Sequence, residues 1–341
     1  MVVQQQVEET SVRLSIVVPC YNEIGCLDEL HKRASETAGQ VAGTSFEIIL
    51  VNDGSTDETW QAIQRFVTTG AHTVGVNLAR NYGHQIALSA GLEIARGDRV
   101  FVIDADLQDP PELLVSMMAL MDEGHDVVYG QRAARAGETR FKLITAGLFY
   151  RALAGLSDIK IPKDTGDFRL MSRRVVDVLI SLPEQHRFIR GMVSWIGFSQ
   201  VPIVYDRDRR FAGETGYPFR KMFALATNAI TSFSVLPLKV ASHLALVFAV
   251  LGLAMLTYVL SSFFAGETVQ GWTSLAVLIL LLGSVQLMML GVFGEYLGRM
   301  YMESKRRPMF VIDQVMKPEV GAVASPVVEL HSMLRTRINE N

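Results

Sequence analysis

Two aspartates and a glutamine, Asp104, Asp106 and Gln108, occupy alternate positions directly after a short apolar run at residues 100–103. Such a run is typical of a buried strand, and the carboxyl ends of strands in open α/β sheets are where ligands bind. Carboxylate and amide oxygens at that position suit a hard divalent cation such as Mg²⁺ or Mn²⁺. The alternative is an acidic turn that only caps the strand, and the other motifs of the chain decide between the two.

Three further polar loops follow predicted strands. Residues 19–23 follow the first strand, residues 52–57 the second and residues 80–84 the third. Because parallel strands end at one edge of a sheet, these loops and the aspartates would line a single crevice. The chain contains neither a Gly-x-Gly-x-x-Gly motif nor a Gly-x-x-x-x-Gly-Lys-Ser/Thr motif, which disfavours a dehydrogenase or a P-loop enzyme.

The elements that must position these loops alternate between apolar runs and helix-like stretches. This alternation predicts an α/β fold with a mainly parallel, doubly wound sheet. The predicted strands are residues 14–18, 46–51, 73–78, 100–103 and 126–130, with Pro19 expected to stop the first. The predicted helices are residues 27–39, 56–69, 83–95 and 111–123.

The second half of the chain contains two long stretches without Asp, Glu, Lys or Arg, at residues 240–266 and 268–294. Each is longer than the roughly 20 residues that cross a bilayer. We therefore expect a hairpin of two transmembrane helices, at about 242–264 and 272–294, with two buried core helices as the alternative. Lysines and arginines flank the hairpin on both outer sides, so the positive-inside rule puts both termini in the cytoplasm.

These features predict a division of the chain into five parts. Residues 211–238 are apolar on one side and basic at their start, which is typical of helices lying in the membrane interface. An ordinary helix packed against the N-terminal domain is the other interpretation of that segment. The five parts are a flexible N-terminus without signal-peptide features (1–13), a cytoplasmic catalytic domain (14–210), interface helices (211–238), the membrane hairpin (239–304) and a cytoplasmic tail (305–341).

Charge and cysteine content exclude other classes of partner and site. The formal net charge of −3 gives no reason to expect nucleic acid as a partner. Cys20 and Cys26 are the two cysteines of the chain and have no accompanying histidine pattern. We interpret them as reduced cytosolic thiols that form neither a disulfide nor a zinc site.

The polar loops resemble a family signature. Residues 19–23 (Pro-Cys-Tyr-Asn-Glu), 51–57 (Val-Asn-Asp-Gly-Ser-Thr-Asp) and 104–108 (Asp-Ala-Asp-Leu-Gln) resemble the motifs of glycosyltransferase family two, which has a GT-A type, Rossmann-like fold. With residues 213–218 (Gly-Glu-Thr-Gly-Tyr-Pro) and the paired spans, the chain is similar to the polyprenyl-phosphate glycosyltransferases within that family. The resemblance covers residues 12 to about 310.

The resemblance implies a site for a nucleotide-sugar in the loops after the first strands. There the base and ribose would be surrounded by side chains from the first loop, and an aspartate of the second would hydrogen-bond one of them. For Tyr21, simple packing is the alternative. The residues implied to contact the donor are Pro19, Tyr21, Glu23, Asp53, Ser55, Asn81 and Arg140.

The same resemblance implies a metal ion at the aspartates. Asp104, Asp106 and Gln108 would hold Mg²⁺ or Mn²⁺ against the diphosphate of the donor. The cation would neutralise charge as the sugar–phosphate bond breaks. Magnesium usually takes few protein ligands, which fits so small a set.

Arginines and one more aspartate are implied to complete the catalytic set. Arg132 and Arg209 would bind phosphate oxygens, for which the guanidinium fork is suited. Arg210 is the alternative to Arg209, and Lys142 the alternative to Arg140. Asp167 and Arg169 fall in the acceptor-side segment of the family. Because a polyprenyl monophosphate is already largely a dianion at neutral pH, we expect Asp167 to orient groups rather than to act as a general base. A turn or cap carboxylate is the alternative, and His84 is expected to be structural.

Taken together, the resemblance implies inverting transfer of one sugar to a polyprenyl phosphate such as undecaprenyl phosphate at the cytoplasmic membrane. UDP-glucose is the preferred donor, with UDP-aminoarabinose derivatives, UDP-GlcNAc and GDP-mannose left open. Relatives suggest a homo-oligomer. A processive polysaccharide synthase would need more spans and a Gln-x-x-Arg-Trp segment, and neither is present. A non-catalytic assembly subunit with a degenerate site is the other alternative.

Overall fold

The computed structural model describes residues 12–133, 165–185, 187–206 and 271–318, together with residue 162 and isolated positions between 238 and 265. The strands in these ranges are β1 (Leu14–Cys20), β2 (Phe46–Asn52), β3 (Thr73–Leu78), β4 (Arg99–Val102), β5 (Val127–Arg132), β6 (Thr165–Ser172), β7 (Gln200–Tyr205) and β8 (Ile312–Met316). The main helices are α1 (Ile24–Ala42), α2 (Thr59–Thr69), α3 (His84–Ile94), α4 (Leu114–Asp122), α5 (Arg173–Ser181), α6 (Ile189–Ile196) and α7 (Trp272–Ser304).

The strands form one sheet in the order β7-β5-β6-β4-β1-β2-β3-β8. β1 is parallel to both of its neighbours, β2 and β4, and β2 is parallel to β3. β6 and β8 run antiparallel to the strands beside them. This mainly parallel α/β sheet, with helices between successive strands, confirms the predicted fold class.

Helices cover both faces of the sheet, which explains why its central strands are continuously apolar. Every residue of β1 and β2 is buried. On one face, Ile16 and Val18 belong to a core shared with α1, α2 and α4; on the other, Val17 belongs to a core shared with α3, α5 and α6. A sheet buried on both faces has hydrophobic strands rather than alternating ones. The loops at its carboxyl edge are therefore carried by a rigid platform.

All five predicted strands form, but the expectation that Pro19 stops the first is wrong. β1 continues to Cys20, and Pro19 pairs in register with Val51 of β2. Val17 O accepts from Ile103 N and Cys20 O from Asp53 N, so alternate residues of β1 face β4 and β2. Pro19 therefore faces the β4 side, where the pairing with β4 has already ended at Val17. Its missing N–H costs no ladder hydrogen bond.

α7 provides one helix long and apolar enough to cross a membrane. The qualifying part is Leu281–Ser304, and none of it is buried in the described part of the protein. The helix extends ten residues beyond the predicted end of the second span, from residue 294 to Ser304. Most of the first predicted span (242–264) and of the interface segment (211–238) lies outside the described residues, so the two-helix hairpin is not confirmed.

The chain after α7 returns to the sheet, which the sequence did not predict. β8 pairs with the edge strand β3, and Ile312 lies opposite Leu78 at the carboxyl end of β3. Ala79 N continues this pairing by donating to Val311 O at 3.0 Å. Part of the predicted tail (305–341) is thus a strand of the same sheet as β1–β7. The chain enters that strand at the same edge of the sheet as the polar loops.

Candidate active site

The loops after β1 and β2 are joined by hydrogen bonds at the carboxyl edge of the sheet. Asn22 adopts a left-handed conformation (φ 56°), which asparagine tolerates better than most residues. Its backbone N–H donates to Ser55 Oγ at 3.0 Å, and its side-chain Oδ1 accepts from Thr56 N at 2.8 Å. Glu23 N donates to Thr59 Oγ1 in the same way. The predicted donor residues Glu23 and Ser55 are therefore held in one joined surface.

Asp53 fixes the loop after β3 to the same surface. Its Oδ1 accepts from Tyr82 N at 2.7 Å and its Oδ2 from Gly83 N at 2.9 Å. Burial raises the pKa of Asp53, and these two backbone donors oppose the shift. The carboxylate predicted to contact the base or ribose is thus engaged with backbone N–H groups on both oxygens. Asn81, also a predicted donor residue, is exposed beside it.

The close approach of these two loops requires a glycine after Asp53. Gly54 has φ +65°, and a Cβ at this position would lie 2.5 Å from Asn81 N. Only a residue without a side chain fits such a contact without a backbone shift. Tyr21 completes the surface: its side chain is 46% exposed, so it is available to a ligand rather than packed in the core. Pro19 is buried within β1.

The Asp104–Gln108 segment forms a tight turn directly beyond β4. Leu107 is buried and left-handed (φ 57°), a conformation that costs about 1–2 kcal/mol in a residue other than glycine. Gln108 N donates to Asp106 Oδ1 at 3.2 Å, which closes the turn. Asp106 itself is 7% exposed. Strained turns of this kind persist where the surrounding packing holds them, and they occur often at functional sites.

His84 lies between two carboxylates at the start of α3. Its Nε2 is 3.5 Å from Asp104 Oδ1 and 3.2 Å from Asp167 Oδ2. Burial disfavours the imidazolium, but the hydrogen bond to Asp167 and the charges of Asp104 and Asp167 outweigh it and raise the pKa of His84 to about 9. His84 therefore pairs with both carboxylates and links the Asp104–Gln108 turn to β6.

Asp167, on β6, is the most heavily paired carboxylate of the site. It is 1% exposed and accepts hydrogen bonds from Gln85 Nε2 at 2.7 Å and from Arg190 Nε at 3.0 Å, besides His84. Burial alone would raise the pKa of Asp167, but Arg190 and His84 hold it well below its usual range. Asp167 is thus a stable anion that organises three side chains around it.

The predicted arginines Arg132 and Arg169 enter the site from β5 and β6. Arg169 is buried, donates to Gly166 O at 3.0 Å and lies 3.8 Å from Asp167 Oδ1. Burial lowers the pKa of Arg169 to about 10, so it stays charged at neutral pH. Arg132 hydrogen-bonds the hydroxyl of Tyr205 at the end of β7. Arg140 and Arg209 lie outside the described residues.

Acidic and basic side chains are interspersed around the turn and β6 in the described part of the chain. Buried charges need compensation, and here Asp104 and Asp167 have basic neighbours: His84 lies near both, and Arg169 and Arg190 lie near Asp167. A divalent cation that enters together with a diphosphate would add little net charge to this site.

One observation fits a cation at the turn. Asp104 Oδ1 is buried and accepts no hydrogen bond from any described residue. The basic group beside it, His84 Nε2, lies 3.5 Å away without hydrogen-bonding it, so the oxygen keeps lone pairs that a cation could use. No group of three His, Cys, Asp or Glu side chains converges on a metal position in the described ranges. The predicted set has two carboxylates and the Gln108 amide, and Mg²⁺ is commonly bound by one or two carboxylates together with substrate phosphates.

Several residues of the site were not assigned a role from sequence. Gln85, Arg190 and Tyr205 belong to no motif, and they reach the site because α3, α6 and β7 begin or end beside it. Asp109 directly follows the Asp104–Gln108 turn but was given no role. The signal that was available for Gln85 is its position after the loop at residues 80–84. For Arg190 the sequence offers none, because it lies 23 residues from Asp167, its partner across the fold.

Comparison with known proteins identifies relatives along nearly the whole chain. The family described as Glycosyl transferase family 2 matches residues 15–180, from β1 into α5. The uncharacterized glycosyltransferase YkcC of Bacillus subtilis (strain 168) is 45% identical over 304 residues, 89% of this chain and 94% of that protein. The prophage bactoprenol glucosyl transferase homolog of Escherichia coli (strain K12) is 37% identical over 307 residues, 90% of this chain and 100% of that protein.

Solved structures resemble the chain more distantly. S. aureus TarS 1–349 aligns over 64% of this chain and 66% of that chain, with 18% identity and a TM-score of 0.42. A similarity of this size supports neither a ligand nor an activity. The relatives that align over about nine tenths of the chain are what define its family.

Proposed function

This chain belongs to glycosyltransferase family 2, and we propose that it transfers one sugar from a nucleotide-diphospho-sugar to a polyprenyl phosphate at the cytoplasmic face of a membrane. A relative that covers nearly the whole chain carries the name bactoprenol glucosyl transferase homolog, and bactoprenol is a polyprenyl lipid. The bactoprenol glucosyl transferase of Shigella phage SfV is 38% identical to this protein over 88% of this chain. These names support the lipid acceptor, and glucose is accordingly our preferred sugar.

The main support for the proposal is the position at which the chain that follows the apolar helix α7 joins the sheet. α7 ends at Ser304, and the chain re-enters the sheet at Ile312, at the carboxyl edge that holds the candidate site. Eight residues reach at most roughly 28 Å. Tyr205, after which the chain leaves toward its apolar half, lies at the same edge because β7 is parallel to β5. A site at this edge faces a membrane-bound acceptor, and such placement supplies proximity.

We assign the donor to the surface formed by the loops after β1, β2 and β3. Tyr21 is exposed for contact with the base, and Glu23, Ser55 and Asn81 lie on the loops around it. Asp53 is engaged with Tyr82 N and Gly83 N, so we expect it to act mainly by fixing this surface. UDP-glucose is the proposed donor; UDP-aminoarabinose derivatives, UDP-GlcNAc and GDP-mannose are the alternatives.

A divalent cation, Mg²⁺ or Mn²⁺, would be held by Asp104, Asp106 and Gln108. When bound, it would neutralise negative charge on the diphosphate leaving group. The fit rests on the buried Asp104 Oδ1 that lacks a donor among the described residues. His84, which lies 3.5 Å from that oxygen, holds the carboxylate in place.

Arginines complete the proposed phosphate site, and Asp167 orients two of them, Arg169 and Arg190. Arg132 would bind the donor diphosphate, while Arg169 and Arg190 lie around Asp167 on the acceptor side. Because the pKa of Asp167 is held well below its usual range, it is a poor base. The acceptor phosphate is itself the nucleophile, and its attack on the anomeric carbon opposite the departing diphosphate gives inversion.

The remaining parts of the proposal concern location and assembly. We propose that α7 is one of two spans of a multi-pass inner-membrane protein with the catalytic domain and both termini in the cytoplasm. α7 satisfies the length and composition of a span, and basic residues follow its end. We also propose that the protein is a homo-oligomer and that nucleic acid is no partner. Arg140 and Arg209 stay predictions for the donor and acceptor sites.

The test is a transfer assay with the purified full chain in detergent. Radiolabelled UDP-glucose, UDP-GlcNAc and GDP-mannose are each incubated with undecaprenyl phosphate, with and without EDTA, and label in the chloroform phase is counted. We expect metal-dependent labelling from UDP-glucose, absent in Asp106→Asn and retained in Glu112→Gln, an exposed acid in the turn before α4 that pairs with Arg33 of α1. Labelling from another donor would reassign the sugar. No labelling from any donor, or full labelling by Asp106→Asn, would overturn the enzymatic proposal.

A further inference from the structure

Asp109 is a completely buried carboxylate that the roles assigned so far do not explain. It directly follows the Asp104–Gln108 turn. Its Oδ1 accepts a 2.5 Å hydrogen bond from the hydroxyl of Tyr205, the last residue of β7. A buried carboxylate is costly to leave without hydrogen-bond partners. Its placement beside the last residue of β7 therefore points to a role in holding a neighbouring group in position.

The group that this pair holds is Arg132. Arg132 and Tyr205 are the last residues of β5 and β7 and lie opposite each other in the parallel register. The guanidinium of Arg132 donates a hydrogen bond to the Tyr205 hydroxyl. Across the site, a Cβ built on Gly166 would lie 3.2 Å from Arg132 Nη2 and 3.9 Å from Asp109 Oδ2. A side chain at residue 166 would therefore crowd the guanidinium and shift it by a few tenths of an ångström.

The direction of each hydrogen bond among Arg132, Tyr205 and Asp109 is fixed. Burial and the neighbouring Asp109 raise the pKa of Tyr205, so its hydroxyl keeps its proton. The hydroxyl donates a hydrogen bond to Asp109 Oδ1 and accepts one from Arg132. One oxygen atom on Tyr205 therefore connects the buried Asp109 to the arginine, and Tyr205→Phe would break that connection without removing a charged side chain.

We propose that Asp109 and Tyr205 are positioning residues that set the orientation of Arg132 toward the diphosphate of the donor. The inference deepens the proposed function and rests on it. Arginine binds phosphate through a planar fork of donors, and the geometry of that fork must be fixed for two hydrogen bonds to form at once. A flexible arginine would lose rotamer freedom on binding, and preorganisation removes that cost.

The proposal predicts coupling between Tyr205 and Arg132 in ligand binding. Binding of UDP and of GDP, each with Mg²⁺, is measured by calorimetry on the full chain in detergent. We expect Tyr205→Phe to weaken binding about 10-fold and Arg132→Ala to weaken it more, because hydrogen bonds to charged groups are strong. In the double variant, the loss should equal that of Arg132→Ala alone, since Tyr205 acts only through Arg132. Asp109→Asn and Gly166→Ala, which displace the guanidinium by other routes, should resemble Tyr205→Phe.

Controls separate positioning from folding and from the proposed reaction. Arg65→Ala, at an exposed position on α2, should leave nucleotide binding unchanged, and thermal unfolding of each variant reports its folding. A loss for Tyr205→Phe that adds fully to that of Arg132→Ala would overturn the proposal, as would no binding of either nucleotide to the native chain. If the coupling holds but no sugar reaches undecaprenyl phosphate, the positioning role stands for nucleotide binding and the proposed function fails.

Discussion

Asn77 Nδ2 donates a 3.0 Å hydrogen bond to Asp313 Oδ2, which connects β3 to the strand that follows the candidate membrane helix. The connection continues inward: Asn77 Oδ1 accepts from Asn52 Nδ2 at 2.7 Å, and Asn52 Oδ1 accepts from Ser55 N at 3.2 Å. A row of amide side chains thus runs from β8 to the loop that we assign to the donor. The docking of β8 and the shape of that loop are therefore coupled.

Removing the outer member of this row should affect the donor more than the acceptor. In Asp313→Ala, Asn77 loses one partner and the Ser55 loop becomes less fixed, so we expect the KM for the nucleotide-sugar to rise about threefold, as for loss of an exposed hydrogen bond. The KM for the lipid should stay unchanged. Gln314→Ala, an exposed neighbour on the same strand, is the control. Equal changes in both KM values would contradict the coupling.

Substitutions in the Asp104–Gln108 turn should lower the transfer rate more strongly. Asp104→Asn and Asp106→Asn keep the size of each side chain and remove its charge, so a divalent cation would bind weakly and the leaving diphosphate would go uncompensated. We expect the transfer rate to fall more than about 100-fold in each, in line with losses of electrostatic stabilisation at active sites. Raising the Mn²⁺ concentration should recover part of the rate. Glu112→Gln tests for general effects of losing an acid, and wild-type rates in either aspartate variant would exclude the metal role.

Gly54 tests the contact between the loops after β2 and β3. Gly54→Ala places a Cβ 2.5 Å from Asn81 N in a residue with φ +65°, so the two loops must separate. We expect weaker donor binding and an unfolding free energy lower by about 1–3 kcal/mol. Gly39→Ala on α1, where a Cβ meets nothing within 4 Å, is the matched control and should be neutral or stabilising. Unchanged donor binding in Gly54→Ala would show that the loop contact is dispensable.

The loops of the site could be predicted from sequence because their signals are local. Asp104, Asp106 and the loop around Asp53 directly follow apolar runs, and a run that ends in polar residues places those residues at a sheet edge. The positions of these loops relative to one another were also predictable once the strands were assigned as parallel. The structure brings these loops together as expected.

The partners of Asp167 and Arg132 could not be found this way, because each pairing joins distant parts of the chain. Arg190 and Gln85 meet Asp167 from two helices, and Tyr205 meets Asp109 across 96 residues. β8 is a similar case: its five residues gain their strand conformation from the open edge of β3 rather than from their own pattern. His84 was expected to be structural, and its bridge between Asp104 and Asp167 gives it a place in the site that a lone histidine does not reveal.

The pH dependence of transfer distinguishes an orienting Asp167 from a general base. Arg190 and His84 hold the pKa of Asp167 well below its usual range despite its burial, so it is ionised at every pH from 5 to 8 and contributes no titration there. The lipid phosphate has its second pKa near 6. The rate should therefore fall as the pH drops through about 6, because the acceptor loses its dianionic form.

Asp167→Asn should lower this rate without moving its pH dependence. The substitution leaves Arg190 and His84 without their anion, so we expect a loss of about tenfold from misplaced side chains, with the fall near pH 6 retained. A general base would instead contribute about 10²–10⁴-fold. Asp126→Asn, at the opposite edge of the sheet and paired with Arg174, controls for loss of a buried aspartate. A loss beyond about 10³-fold in Asp167→Asn, together with a shifted pH profile, would assign Asp167 the role of the base.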